Sequence, residues 1–365
     1  MISGGGTGGH IYPAIAIAQE IMRRNPEAEI MFVGARDRME MQKVPQAGFP
    51  IRGLWIAGFQ RRLTLKNLLV PIKLMVSLIQ SVFLIKSFRP DVVIGTGGFA
   101  SGPLLRIATL FGVPTLIQEQ NSYPGVTNKM LARGAQKICV AYQNMEQFFP
   151  KEKLVHTGNP VRQDLLKPGL ELKTALAHFN LTTFASQERP SGRGLVLLIL
   201  GGSLGARRIN RLVAEKLNYL KDQNMSVIWQ CGPYYYPEYK DLASERICVV
   251  PFIDNMAMAY AAADLIISRS GALSVSELAL VGKPVVFIPS PNVAEDHQTK
   301  NAKALVDQNA AIMLKEDVLD DRFEEVFTRL IQEEALRQAL GRAIKLTAMP
   351  NATRDIVDQL SLLSS

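Results

Sequence analysis

The sequence predicts an α/β protein built from two doubly wound parallel-sheet domains. Three observations carry that expectation. Short β-branched apolar runs alternate with helical patterns along the chain. The runs fall into two series, one ending at KICVA (137–141) and one opening at GLVLLILGG (194–202). Several runs stop at a glycine-rich turn that opens a helix, the connection that parallel sheets require. The 365 residues are enough for two domains of about 150 residues each.

The first series reads EIMFVG (29–34), PDVVIG (90–95), PTLIQE (114–119) and KICVA. The second reads GLVLLILGG, SVIWQCG (226–232), ICVVPFI (247–253), DLIISRSG (264–271) and KPVVFIP (283–289). The join is expected at TGNPVR (157–162), where an Asn-Pro step marks a turn. This puts one domain at 1–161 and the other at 162–345. The polar stretch TTFASQERPSGR (182–193) reads as a loop inside the second half. Residues 320–365 read as mostly helical, and the last stretch, about 346–365, is expected to pack back on the first domain. Only Met1, Ile2 and Ser3 precede Gly4. The first strand is therefore expected to be a stub, or the protein to begin upstream.

Hydrophobic residues make up 47% and charged residues 20% of the chain, which supports a sizeable core. Cys139, Cys231 and Cys248 are scattered and odd in number. That pattern argues against a disulfide framework or a zinc site and for a reducing compartment. No secretory leader is expected.

The net charge of +8 is placed unevenly. From Met41 to Pro90 there is no acidic residue, yet eight basic ones: Lys43, Arg52, Arg61, Arg62, Lys66, Lys73, Lys86 and Arg89. A block of one sign implies an anionic partner. Inside it, NLLVPIKLMVSLIQSVFLI (67–85) is 19 residues long. Three placements fit: spanning a bilayer, burial against a sheet, or docking on anionic lipid with a basic rim. The central Lys73 would cost about 2.5–3.5 kcal/mol in a span, which weighs against the first. The other two are compatible, since one face can pack inward while another meets lipid. Nucleic acid fits less well. Aliphatic residues dominate 52–89, with Trp55, Phe59, Phe83 and Phe88 as the aromatics, and no nucleic-acid motif appears.

Four strand-to-helix turns share one chemistry: GGGTGG (4–9), GTGGFASGP (95–103), GGSLGARRIN (201–210) and SRSGALSVSE (268–277). Such turns let backbone N–H groups and helix N-termini approach phosphate. Four of them, shared between both halves, exceed what tight turns alone explain. Ser203 offers a hydroxyl and an N–H at a helix start. Glu277 falls about a turn and a half into its helix, where a carboxylate can accept from a ribose diol. AEDHQTKNA (294–302) carries His297, Gln298 and Asn301, suited to hydroxyl-rich ligands, or it is a polar helix start capped by Asp296. His10 opens the first helix, where the dipole disfavours the imidazolium. It reads as a general base or as a positioning histidine. Glu119, in QEQNSYPGVTNK (118–129), is the rival base.

Together these segments resemble the MurG family of bacterial peptidoglycan glycosyltransferases. The resemblance rests on GGGTGGHIYP, PDVVIGTGGFASGP, EQNSYPGVTNK, TGNPVR, GGSLGAR, PFIDNMAMAYAAADLIISRSGALSVSEL and HQTKNA, which span nearly the whole chain in order. It implies a GT-B fold, two Rossmann-like domains facing a cleft. The first domain would face acceptor and membrane, and the second would bind UDP-N-acetylglucosamine (UDP-GlcNAc). On the donor, Thr7, Gly8 and Gly9 would meet the sugar side and Asn121 the sugar hydroxyls. Arg162 and Ser203 would contact the nucleotide portion, and Ile253 the uracil through its backbone. Ala272, Leu273, Ser274, Val275, Ser276 and Glu277 would wrap diphosphate and ribose, with Gln298 near the sugar. The acceptor, lipid I, would approach Gly5, Gly6, Gly97, Gly98, Ser101 and Gly102. The basic apolar block would rest on the anionic cytoplasmic leaflet of the inner membrane, as in a peripheral membrane protein, with cell-wall synthesis proteins as partners. Two departures stand out. Gln118 occupies a position where the family often has His, and Leu204 one where many members have Gln.

The implied reaction is inverting transfer of N-acetylglucosamine (GlcNAc) to the C4 hydroxyl of a lipid-linked N-acetylmuramoyl unit, giving lipid II. No cofactor or metal is obligatory, and no D-x-D triplet occurs; a loosely bound Mg²⁺ is compatible. Rival readings are another UDP-sugar enzyme such as a UDP-GlcNAc 2-epimerase, a nicotinamide oxidoreductase using Gly4, Gly6 and Gly9 with Asp37 as the ribose acid, and a nucleotide-sugar-binding module without turnover.

Overall fold

The computed structural model describes residues 1–57, 69–161, 170–181 and 194–363. The chain divides into two units, one of Met1–Val161 with Met349–Ser365 and one of Arg162–Ala348. Arg61, Arg62, Lys66 and the 182–193 stretch lie outside the described residues.

Among the described residues the first unit has a sheet of seven parallel strands in the order β3-β2-β1-β4-β5-β6-β7. These are β1 (Ile2–Gly4), β2 (Phe32–Ala35), β3 (Ile51–Leu54), β4 (Val93–Gly97), β5 (Thr115–Glu119), β6 (Lys137–Val140) and β7 (Leu154–His156). The helices between them are α1 (Gly8–Arg24), α2 (Glu40–Gln46), α3 (Val70–Phe88), α4 (Ser101–Leu110) and α5 (Val126–Leu131). The residues of β2, β4 and β5 are all buried, which is why their sequences do not alternate apolar with polar residues, although β5 ends in the buried polar pair Gln118 and Glu119. The three-residue β1 is a central strand, pairing with β2 on one side and β4 on the other.

The second unit repeats the plan with β8 (Val196–Leu200), β9 (Ser226–Gln230), β10 (Ile247–Val250), β11 (Leu265–Ser268), β12 (Val285–Phe287) and β13 (Ile312–Met313). All are parallel, in the order β10-β9-β8-β11-β12-β13. The strand order reverses between β1 and β4 in one sheet and between β8 and β11 in the other. Ligands of open α/β sheets bind beyond the carboxyl ends of strands at such a switch point. The glycine-rich turns at 4–9, 95–103, 201–210 and 268–277 follow those same strands: β1, β4, β8 and β11.

The tail is helical as expected, over Leu319–Gln332, Glu334–Leu346 and Ala352–Ser361. The last helix belongs to the first unit. Its Ile356, Val357 and Leu360 join a core with Ile2, Ile11, Ile17 and Phe32. At the rim, Glu20 pairs with Arg23 and Arg24 at 2.7 Å each, and Arg24 reaches Asp358 at 2.5 Å.

Helix α3 packs Ile85, Leu78, Val82, Leu84 and Phe88 against the core and leaves other apolar residues outside. The residues it buries are Val70, Ser77, Ser81 and Ile85. The two serines donate to the carbonyls of Leu74 and Ser77 in their own helix. Its large apolar residues Ile72, Leu74, Met75, Ile79 and Phe83 are exposed, Phe83 at 69%. Lys73 lies over the Trp55 ring and Lys86 over Phe111. By length and composition α3 is the one helix among the described residues that can cross a membrane.

The Arg23 hydrogen bond, joined by that of Arg24 and opposed by burial, holds the Glu20 carboxyl down at about 2 instead of 4.5. A depressed carboxyl stabilises the fold above its unfolded value, and that contribution is lost as pH falls through the folded value. Glu20→Gln should therefore lower stability at pH 7 by about 0.5–1 kcal/mol. The difference should shrink below pH 4.5 and vanish near pH 2, read as urea midpoints of both proteins across pH.

Candidate active site

In the first unit the turn after β1 and the turn after β4 touch. The Gly5 N–H donates to the Gly97 carbonyl at 3.2 Å. Gly97 and Gly98 have φ of +106° and +91°. A Cβ on Gly98 would lie 2.4 Å from the Gly5 carbonyl oxygen, and one on Gly97 would lie 2.9 Å from the His10 ring. Only glycine supplies this backbone shape without a Cβ in the way. The approach brings β4 against the start of α1 and packs the His10 imidazole on Gly97.

His10 is half-buried on the first turn of α1. Its Nδ1 is 2.8 Å from Gln120 Oε1. Thr96 Oγ1 donates to the His10 carbonyl at 2.7 Å. Beneath the ring runs a buried set of amides. Gln120 Nε2 shares its two hydrogens among the Thr96 carbonyl at 2.8 Å, the Gln118 carbonyl at 3.0 Å and Gln118 Oε1. Gln118 Nε2 donates to Asn159 Oδ1 at 2.9 Å, and Asn159 Nδ2 returns to the Gln120 carbonyl at 3.0 Å. Gln118, Gln120, Thr96 and Asn159 are all at most 1% exposed.

Glu119, at the end of β5, is turned the other way and is equally buried. One oxygen accepts from Asn121 N at 3.0 Å and Asn121 Nδ2 at 3.3 Å. The other accepts from Gly125 N at 3.1 Å and Asn128 Nδ2 at 2.8 Å. A carboxylate with four donors organises the 120–128 loop. Asn121, expected at the sugar hydroxyls, is held by the same carboxylate. Ser101, expected at the acceptor, is fully buried, and its hydroxyl lies 2.9 Å from the Gly97 carbonyl and 3.0 Å from that of Ser3. Its side chain serves the scaffold. Thr7, Gly6 and Gly9 are exposed, and Gly8, Gly98 and Gly102 are half-buried.

Sequence reasoning missed Glu40. It is fully buried on α2, and its carboxylate accepts from Gly6 N at 2.9 Å and Ala35 N at 3.0 Å. An internal carboxylate thus takes a glycine-loop N–H that a dinucleotide pyrophosphate would use, which counts against the nicotinamide reading. The available signal was its position, since Glu40 is the last acid before the acid-free block.

In the second unit Ser203 is exposed in the turn after β8. Gln230 ties that turn to the 253 region: its Nε2 donates to the Gly202 carbonyl at 3.0 Å and its Oε1 accepts from Ile253 N at 2.9 Å. A base contact through the Ile253 backbone would therefore use its carbonyl. After β11 the helix Ala272–Val281 starts at Gly271 with no side-chain cap. Leu273, Ser274, Ser276 and Glu277 are half-buried, whereas Ala272 and Val275 are buried. Ser276 Oγ donates to the Ala272 carbonyl at 3.1 Å. Glu277 Oε2 accepts from Tyr260 at 3.4 Å. Gln298 joins the β11 and β12 turns, its carbonyl accepting from Ser270 Oγ at 2.8 Å and its Oε1 from Ser290 N at 2.8 Å. Asp296 sits left-handed before that helix, and its carboxylate accepts from Thr299 Oγ1 at 2.7 Å without capping it. Arg162 lies outside the described residues. Among the described residues no three of His, Cys, Asp and Glu gather as metal ligands.

The Glycosyltransferase family 28 N-terminal domain matches residues 1–140, and the Glycosyltransferase family 28 C-terminal domain matches 196–358. The chain belongs to glycosyltransferase family 28. A family member from Flavobacterium psychrophilum is 57% identical over 99% of this chain and 96% of that protein. It is named UDP-N-acetylglucosamine--N-acetylmuramyl-(pentapeptide) pyrophosphoryl-undecaprenol N-acetylglucosamine transferase. The crystal structure of Acinetobacter baumannii MurG is 30% identical, covers 99% of this chain and 98% of its own, and superposes with a TM-score of 0.79. The fold is therefore GT-B. A Neisseria meningitidis UDP-GlcNAc 2-epimerase bound to UDP-GlcNAc shares the fold alone, at 16% identity and a TM-score of 0.64, with 99% of each chain covered.

The close approach yields a contrast between neighbouring glycines. Gly98→Ala should destabilise the family 28 fold by about 2 kcal/mol or more, from a positive φ and a backbone clash. Gly102→Ala, whose Cβ would rest 3.6 Å from Thr127 Cγ2 inside α4, should be neutral or stabilise by up to about 1 kcal/mol. Thermal unfolding of both variants checks this.

Proposed function

We propose that this chain transfers GlcNAc from UDP-GlcNAc to the C4 hydroxyl of undecaprenyl-pyrophosphoryl-N-acetylmuramoyl-pentapeptide. The product is the lipid-linked disaccharide of peptidoglycan synthesis. The full-length likeness to transferases of that name supports the reaction. The observation that carries the mechanism is the His10 ring, seated on Gly97 at the switch point with Nδ1 bound and Nε2 on the opposite edge.

The acceptor C4 oxygen attacks the anomeric carbon while the bond from that carbon to the diphosphate oxygen breaks. The C4 proton passes to His10 Nε2. UDP leaves with the bonding electron pair, and a single displacement inverts the anomeric centre. The second unit holds the donor: Ser203 and the N-terminus of Ala272–Val281 address the diphosphate, Glu277 the ribose, and the Ile253 carbonyl the base. Arg162 is assigned to the nucleotide on resemblance alone. In the first unit Gly98 and Gly102 offer backbone to the acceptor diphosphate, since the Gly5 and Gly6 N–H groups are taken by the Gly97 carbonyl and Glu40 and Gly97 is buried. Glu119 positions Asn121 for the sugar. The domains of this reading are 1–161 with the tail helix for the acceptor and 162–345 for the donor.

Helix α3 rests on the anionic cytoplasmic leaflet. An exposed face of Ile72, Met75, Ile79 and Phe83 beside Lys73 and Lys86, over a buried face that includes two serines, suits an interface better than a protein core.

UDP release should depend on a soluble lipid I analogue, and His10→Ala should lower kcat about 10²–10⁴-fold with donor affinity kept. UDP release without acceptor would instead support the epimerase or a hydrolase, and unchanged turnover would remove His10 as base. Binding to phosphatidylglycerol vesicles should exceed binding to phosphatidylcholine vesicles and weaken with salt. The pair Met75→Asp and Phe83→Asp should lower it about 10-fold or more, measured by co-sedimentation; equal binding by wild type and variant would remove α3 as the contact.

A further inference from the structure

We infer that Gln120 is a positioning residue that selects the tautomer of His10, and that Gln118 and Asn159 fix Gln120 for that purpose. The inference rests on His10 as the base and goes beyond it by naming what makes the base competent.

The argument is one of donors and acceptors. A side-chain amide presents one acceptor oxygen and one NH₂ group. One end of the Gln120 amide faces the Thr96 carbonyl at 2.8 Å and the Gln118 carbonyl at 3.0 Å. Backbone carbonyls only accept, so that end is the NH₂. The other end, at 2.8 Å from His10 Nδ1, must then be the oxygen. An oxygen acceptor there requires Nδ1 to carry the hydrogen, and a neutral imidazole then holds its lone pair on Nε2. Free histidine in water favours the opposite tautomer, with the hydrogen on Nε2, which cannot take a proton at that edge. The buried amides therefore reverse the ring's ordinary preference.

Gln118 closes the arrangement. Its Oε1 shares the Gln120 NH₂ group with the two carbonyls, and its Nε2 donates to Asn159 Oδ1 at 2.9 Å. Asn159 Nδ2 donates to the Gln120 carbonyl at 3.0 Å. Flipping the Gln120 amide would set oxygen against two carbonyls at a buried position, leaving buried polar groups unmet. Nδ1 also meets a neutral amide rather than a carboxylate. The carboxylates on the packed elements, Glu40 of α2 and Glu119 of β5, are engaged by Gly6 and Ala35 and by Asn121, Gly125 and Asn128.

The test is long-range ¹H–¹⁵N spectroscopy of histidine-labelled protein above the titration range, with His10→Ala to assign the signal. The expected result is the Nδ1–H tautomer for His10 in wild type and a move toward Nε2–H in Gln120→Leu. Kinetics supply a second readout. Gln120→Glu places a carboxylate against the ring, which should move the acid limb of kcat up by about 1 in pH, a change that a purely structural role would not produce. Gln120→Leu should lower kcat at least 10-fold with KM for the donor little changed. An Nε2–H tautomer in wild type, alongside collapsed turnover in His10→Ala, overturns the Gln120 assignment alone. Normal turnover in His10→Ala overturns the base reading and the kinetic role of Gln120 with it.

Discussion

The contact on which the site depends is backbone against backbone, where the turn after β4 lies on the turn after β1. The Gly5 N–H meets the Gly97 carbonyl, and Gly98 presses on Gly5 where no side chain fits. This one approach seats His10 on Gly97, sets Thr96 under the His10 carbonyl and turns the Ser101 hydroxyl inward toward Ser3 and Gly97. It also explains how a three-residue β1 can serve as a central strand. Pairing on both edges and the turn contact make up for its length.

Each sheet puts its glycine-rich turns after the strands that flank its own switch point, β1 and β4 in one and β8 and β11 in the other. The polar side chains around them divide by task. Glu40, Glu119, Gln120 and Gln230 are buried or nearly so and bind loop N–H groups, carbonyls or the His10 ring. Buried charge is tolerated because each carboxylate meets several donors. Preorganised dipoles of this kind stabilise charge that develops during a reaction without reorganising at that moment.

Much of the fold was legible in the sequence, for a physical reason. Runs such as GLVLLILGG and DLIISRSG hold strands covered on both faces, so their centres, VLLIL and LII, are apolar without alternation. The strands that were missed lie at sheet edges. β3 carries Arg52 and Gly53 within the basic block and is half-exposed, β7 ends in an exposed His156, and β13 has two residues. The glycine turns announced themselves because their chemistry is written in adjacent letters. The partners of those turns did not. His10 and Gln120 are 110 residues apart, and Gly6 and Glu40 are 34 apart. Nor could residue type tell which way a polar side chain faces. Ser101 and Glu119 looked available to substrate and prove to be committed inside the first unit.

On the proposed reading, glycosyl transfer is direct attack by an oxygen whose proton passes to His10. That reading needs no covalent sugar intermediate, and the Glu119 carboxylate is buried under four donors. The measurement that tests this most directly is the anomeric configuration of the product formed from UDP-α-GlcNAc and a soluble lipid I analogue, read from the proton coupling at the new linkage. The account predicts a β linkage with the large coupling of two axial protons. An α linkage would contradict single displacement assisted by His10.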